Sequence, residues 1–183
     1  MAGRVSRRGR DTHVNSAQPD KAFPEFKHPR LTSGQCKVFV HMPMPGIRKR
    51  TIESAFLSVP VRNTWAAQTL TVTPVGSTWG PRKTTWNNQP SLLSGAITAA
   101  QLARTDGQRV EIDVTTQVQA IADGRQNWGW QITTDSSAEH RVFGFDATSS
   151  VARDTWTLVI TFTDRPARPF RPAPHRWFGG SEP

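Results

Sequence analysis

The chain of 183 residues has a single cysteine, Cys36, and no tyrosine. One thiol excludes an internal disulfide scaffold. No apolar run approaches the roughly 20 residues that a bilayer-spanning helix needs, so no membrane insertion is expected. The first ten residues are basic but run straight into Asp11, Thr12, His13, Val14 and Asn15. There is thus no apolar core of a secretory signal, and synthesis in the cytoplasm without export is expected. Catalytic signatures are also missing. There is no G-x-S-x-G element, phosphate loop or zinc motif. The five histidines, His13, His28, His41, His140 and His175, show no metal-ligand spacing with Cys36 or with each other. Asp135, Glu139 and His140 read as solvated loop charges, and Asp135, Asp146 and Asp154 form no ordered calcium loop. A non-enzyme without cofactor or metal is expected.

What the chain does have is positive charge, tryptophan and proline. Its net charge is +9, with 7 Trp and 14 Pro. Residues 1–10 carry Arg4, Arg7, Arg8 and Arg10 with no acid, and residues 165–183 carry Arg165, Arg168, Arg171 and Arg176 against Glu182. The stretch between them is close to neutral. The expected organisation is a basic N-terminal arm (1–10), a body (11–164) and a Pro/Arg-rich C-terminal arm (165–183). The second arm, with Pro166, Pro169, Pro172 and Pro174, favours extended polyproline-like backbone. Charge held in arms suits docking on neighbouring protein better than reading nucleic acid, which wants one basic face. Arg4, Arg7, Arg8, Arg10, Arg168, Phe170, Arg171, Arg176, Trp177 and Phe178 are therefore the expected interface residues.

The body reads in period two. Trp156, Leu158, Ile160 and Phe162 share one strand face, as do Val110, Ile112 and Val114, and Ala55, Leu57 and Val59. Leu70 with Val72, Trp128 with Trp130 and Ile132, Phe143 with Phe145, and Val38 with Val40 add further strands. Pro, Gly and Asn clusters at 43–46, 76–82 and 87–90 punctuate them. A short helix is expected after Thr115 or Thr116, with Val118, Ile121 and Ala122 at helical spacing and Gly124 as its stop. A second, weaker helical turn is expected at 96–103. The fold class is all-β: a jelly-roll-like antiparallel β-sandwich with one or two short helices and extended basic terminal arms.

Two sets of residues invite a binding reading. In TTWNNQP (84–90), Trp86 with Asn87 and Asn88 suits a sugar ring, though Asn-Asn before Pro90 equally describes a turn. Trp128, Trp130 and Trp156 fit core positions. Trp65 and Trp79 lie among polar or turn residues and are expected at the surface, for a subunit contact or a glycan.

These residues, in this order, resemble the DNRLRE domain family. The likeness runs from DTHVNSAQP (11–19) through KVFVHMPMPGIRKRTIESAFLSV (37–59), TTWNNQP (84–90) and VEIDVTTQVQAIADG (110–124) to FGFDA (143–147) and TWTLVITF (155–162). It implies a jelly-roll sandwich of the kind found in secreted surface proteins, carbohydrate-binding modules and minor tail proteins of actinobacterial phages. The basic arms and the missing leader favour the phage branch. The resemblance thus implies a structural virion protein at or near the tail tip, docked by its arms on other virion proteins and a homo-oligomer within that assembly. Two alternatives remain open: a module recognising host cell-wall polysaccharide, and a capsid decoration protein.

Overall fold

The computed structural model describes residues 2–6, 9–24, 28–63, 65–105, 107–145 and 155–164. Two antiparallel sheets make the sandwich. One has four strands in the order β1 (Ala2–Ser6), β12 (Thr157–Asp164), β6 (Arg50–Pro60) and β9 (Arg109–Asp113). The other has six: β3 (Phe23–Pro24), β2 (Arg10–Asn15), β5 (Cys36–His41), β10 (Trp130–Thr134), β7 (Gln68–Pro74) and β8 (Ile97–Gln101). A small pair, β4 (Arg30–Leu31) with β11 (His140–Arg141), closes one end. The all-β expectation holds. Among the described residues no helix is long and apolar enough to cross a membrane.

Alternation places the core. β7 buries every second side chain, and β9 and β12 bury Val110, Ile112, Leu158, Ile160 and Phe162 on one side while Glu111 and Val159 face out. These side chains meet Val38, Val40, Trp130 and Ile132 of the facing sheet in one continuous cluster. β2 and β5 depart from simple alternation because both of their faces are covered. Val14 and Phe39, on the outer side, pack with Val75 and Trp79, and with the half-buried Trp86 and Trp128. The polar-looking segment 76–91 therefore folds over the outside of the six-stranded sheet. Gly129 sets the entry to β10. Its φ is +83°, and a Cβ there would strike the Val40 carbonyl and come within 2.8 Å of the His41 Cα, so only glycine fits.

Four local expectations need correction. The segment 96–103 forms the edge strand β8, not a helix: Ile97 and Ala99 turn inward on the core, and pairing with β7 outweighs the alanine content. The helix at Thr115–Ala122 (α1) forms as expected, with Gly124 at φ +121°, but neither Thr115 nor Thr116 caps it. Val114 holds the N-cap position, and Asp113 Oδ1 accepts from Thr115 N at 2.8 Å. Phe143 and Phe145 lie in irregular backbone after β11. The expected N-terminal arm is largely part of the sandwich: Ala2–Ser6 pairs along β12 from Phe162 to Leu158, and Arg10 opens β2 opposite His41. β12 needs a second neighbour for its backbone, and the N-terminal residues supply it. Arg7, Arg8 and residues 165–183, with Arg168, Phe170, Arg171, Arg176, Trp177 and Phe178, lie outside the described residues.

Candidate functional site

A polar cleft of about 280 Å³ opens at the β4–β11 end of the sandwich, lined by His28, Arg62, Asn63, Glu139 and Arg141. Three stretches far apart in sequence converge here: the approach to β4, the chain just after β6, and β11. Arg30 and Arg141 stand opposite each other in the β4–β11 register. Such like charges repel across strands unless something lies between them. Glu139 does: its Oε2 is 3.2 Å from Arg30 Nη1 and its Oε1 is 2.7 Å from Arg141 Nη2. All three side chains remain roughly two-fifths exposed, so the group is open to solvent. Arg62 lies beside it with its guanidinium carbon 5.5 Å from the Phe143 ring centre, and the His28 ring meets Phe143 edge-on at 5.5 Å.

Asn63 organises the floor. Its Oδ1 accepts from Arg141 N at 2.7 Å and Trp65 Nε1 at 3.0 Å, and its Nδ2 donates to the Glu139 carbonyl at 3.2 Å. Beneath it, Trp65 is fully buried and His140 lies 5.4 Å from its ring. His140 donates to, or accepts from, Ser136 Oγ at 2.8 Å, and burial holds its imidazole below the ordinary range. Arg30, Arg62 and Arg141 against the single carboxylate of Glu139 leave this end of the sandwich net positive. Guanidiniums pair with carboxylates through their N–H donors.

The residues singled out from sequence fall elsewhere or play other parts. Trp65 is not at the surface; besides Asn63, its indole N–H reaches the Arg141 carbonyl at 3.1 Å, so it supports the cleft from below. Its ring joins the core while the polar Asn63 packs over its indole N–H. Trp79 is also buried, 7% exposed, with Nε1 donating to the Trp128 carbonyl at 2.7 Å and Arg10 stacked on it at 5.1 Å. Turn composition around Trp79 says nothing of the sheet beneath it. Asn88 spends both ends of its amide on its own loop, accepting from Thr85 N at 2.6 Å and donating to the Lys83 carbonyl at 2.8 Å. Asn87 Nδ2 donates to Asp20 at 2.8 Å. TTWNNQP is thus built as a turn. Trp86 stays half-buried with Lys37 Nζ 4.7 Å over its ring.

The cleft residues gave no local signal in the sequence. Arg30, Arg62 and Arg141 are scattered basic residues, and Glu139 with His140 read as loop charges. Only the β4–β11 register and the turn after β6 bring them together. Among the described residues no cluster of three His, Cys, Asp or Glu side chains is placed to hold a metal.

No curated protein matches the chain. Residues 6–167 match the family model of carbohydrate-binding module family 96, a span that takes in the cleft and every strand but β1, of which it includes only Ser6. By that match the chain belongs to carbohydrate-binding module family 96.

Proposed function

We propose that this module binds an acidic polysaccharide, seating sugar carboxylates among Arg30, Arg62 and Arg141. One observation carries the reading: two cross-strand arginines hold a solvent-exposed carboxylate, that of Glu139, whose place a uronate carboxylate would take. Arg62 over Phe143 adds a third guanidinium beside an aromatic face, against which the apolar side of a sugar ring fits. Binding of this kind is electrostatic in part and weakens with salt.

The test is affinity electrophoresis of the whole chain in gels holding a polyuronate or a neutral glucan. Retardation is expected in the polyuronate gel alone. Arg62→Ala and Arg141→Ala are each expected to weaken it about 10- to 100-fold, the loss of one charge-assisted contact of about 1.5–3 kcal/mol. Equal retardation by the neutral glucan, or arginine variants that bind as wild type, would sink the reading.

The closer kinship to DNRLRE domains of phage tails is a proposal about where such a module is carried. Its support is the sequence of TTWNNQP and VEIDVTTQVQAIADG together with the Pro/Arg-rich end of the chain. At a tail tip, or on a capsid surface, a polyanion-binding module would hold the particle to host cell-wall glycan, while residues 165–183 dock on other virion proteins. Deleting residues 165–183, which follow the last described strand β12, tests the arrangement. The shortened chain should keep its glycan binding and fail to enter virions; normal incorporation refutes docking by the C-terminal arm.

A further inference from the structure

The six-stranded sheet ends at β8, and this edge differs from the others. Residues 84–103 contain no Asp, Glu, Lys, Arg or His, in a chain whose net charge is +9. That stretch includes all of β8 and the segment leading to it, which follows the same side of β7 through the Val75–Leu92 bridge and the Leu93 N–H bond to the Pro74 carbonyl. Exposed apolar side chains line it: Leu92 at 44%, Leu93 at 38% and Leu102 at 73%. Other sheet ends are guarded: β9 carries Arg109, Glu111 and Asp113, and β3 is only two residues long. Charged or very short edges resist pairing with another chain; a five-residue neutral edge invites it.

We propose that β8 pairs with β8 of a second copy of this chain, antiparallel about a two-fold axis, joining two six-stranded sheets into one. Charge selects the occupant. Two copies at +9 repel over most of their surfaces and approach at least cost where both are neutral, whereas an acidic partner gains nothing from this edge. The register with Ala99 opposite Ala99 of the second copy is self-complementary. It sets Ile97 opposite Gln101, and Leu102 opposite Ala96 of the second copy, on the face where Ala96, Thr98 and Ala100 are already exposed. Leu102, the most exposed large apolar side chain among the described residues, is then covered twice per dimer.

Sedimentation of the full chain over a wide concentration range tests this, alongside Thr98→Lys and Leu102→Lys variants. The wild type is expected to pass from monomer to dimer, and more readily in high salt, because screening relieves the repulsion between like-charged copies. Each lysine variant should raise the dissociation constant by about tenfold or more, with melting temperature and glycan binding unchanged at concentrations where both chains are monomers. Leu102 lies outside the strand and in solvent, so Leu102→Lys still reports should Thr98→Lys disturb the sheet. A wild type that stays monomeric throughout in high salt overturns the proposal. So does a Leu102→Lys chain that associates as tightly as wild type.

Discussion

Trp65→Ala is expected to lower stability by about 3–5 kcal/mol, the range for emptying a fully buried Trp site. The ring packs in the main core, and its indole N–H joins Asn63 and the Arg141 carbonyl. Both acceptors keep another partner, since Asn63 Oδ1 also takes Arg141 N and the Arg141 carbonyl also takes Arg62 N. The cost is therefore mainly the cavity. Trp65→Phe should lose about 1–2 kcal/mol, because it fills much of the space and gives up the N–H. Urea denaturation of both variants measures the difference. A surface tryptophan that stacks on sugar would behave the opposite way, with an unchanged midpoint and lost binding. Trp65→Ala should weaken glycan binding only as far as loosening Asn63 loosens Arg141.

The second large effect is a hidden pH dependence. Burial pushes the Asp11 carboxyl up to about 7, against the pull of hydrogen bonds from Phe145 N at 2.9 Å and Trp156 Nε1 at 3.0 Å. Burial pushes His13, two residues along β2 on the same inner face, down to about 4, helped by the charge of Arg30 and opposed by Glu139. Between an unfolded value of 3.8 and about 7, the native carboxyl keeps a proton that the unfolded chain has lost. Stability from Asp11 is therefore full in acid and declines as pH rises through that window. Between about 4 and 6.5 the unfolded imidazole holds a proton that native His13 refuses, so stability from His13 declines as pH falls.

The two slopes oppose each other over their shared window. At 1.36 kcal/mol per unit they amount to about 4 and about 3 kcal/mol, so they largely cancel. His41 and His140, both lowered by burial, lean the same way as His13. Asp11→Asn keeps one oxygen for the two donors, which both use Oδ2, and removes the titration. Its urea midpoint should fall more steeply than the wild type's as pH drops from 6.5 towards 4. His13→Gln should show the reverse, growing more stable from pH 7 downwards. Parallel pH profiles for wild type and both variants would show that neither group titrates out of range.

Much of the sandwich was legible because alternation over a half-buried sheet is a local property. β7, β9 and β12 follow it closely, and α1 was marked by Val118, Ile121, Ala122 and Gly124. β8 was misread because AITAAQLA has helical composition, while its state depends on β7 beside it. Trp65 and Trp79 were misplaced for a related reason. Their sequence neighbours are polar, yet burial of a large ring depends on which sheet face lies beneath it.

Sequence alone settled the class of the fold, the absence of a disulfide framework and the uneven placement of charge, since composition and short periods are properties of neighbours along the chain. For TTWNNQP it offered a sugar contact and a turn side by side, and the hydrogen bonds of Asn87 and Asn88 decided for the turn. Tertiary structure alone decided that the N-terminal residues complete a sheet, and that Arg62, Glu139 and Arg141 line one cleft with Arg30 paired to its Glu139. It alone decided that β8 is a neutral edge. Strand pairing and cleft formation join residues more than a hundred positions apart, and the hydrogen-bond register that joins them leaves no mark on any short stretch of sequence.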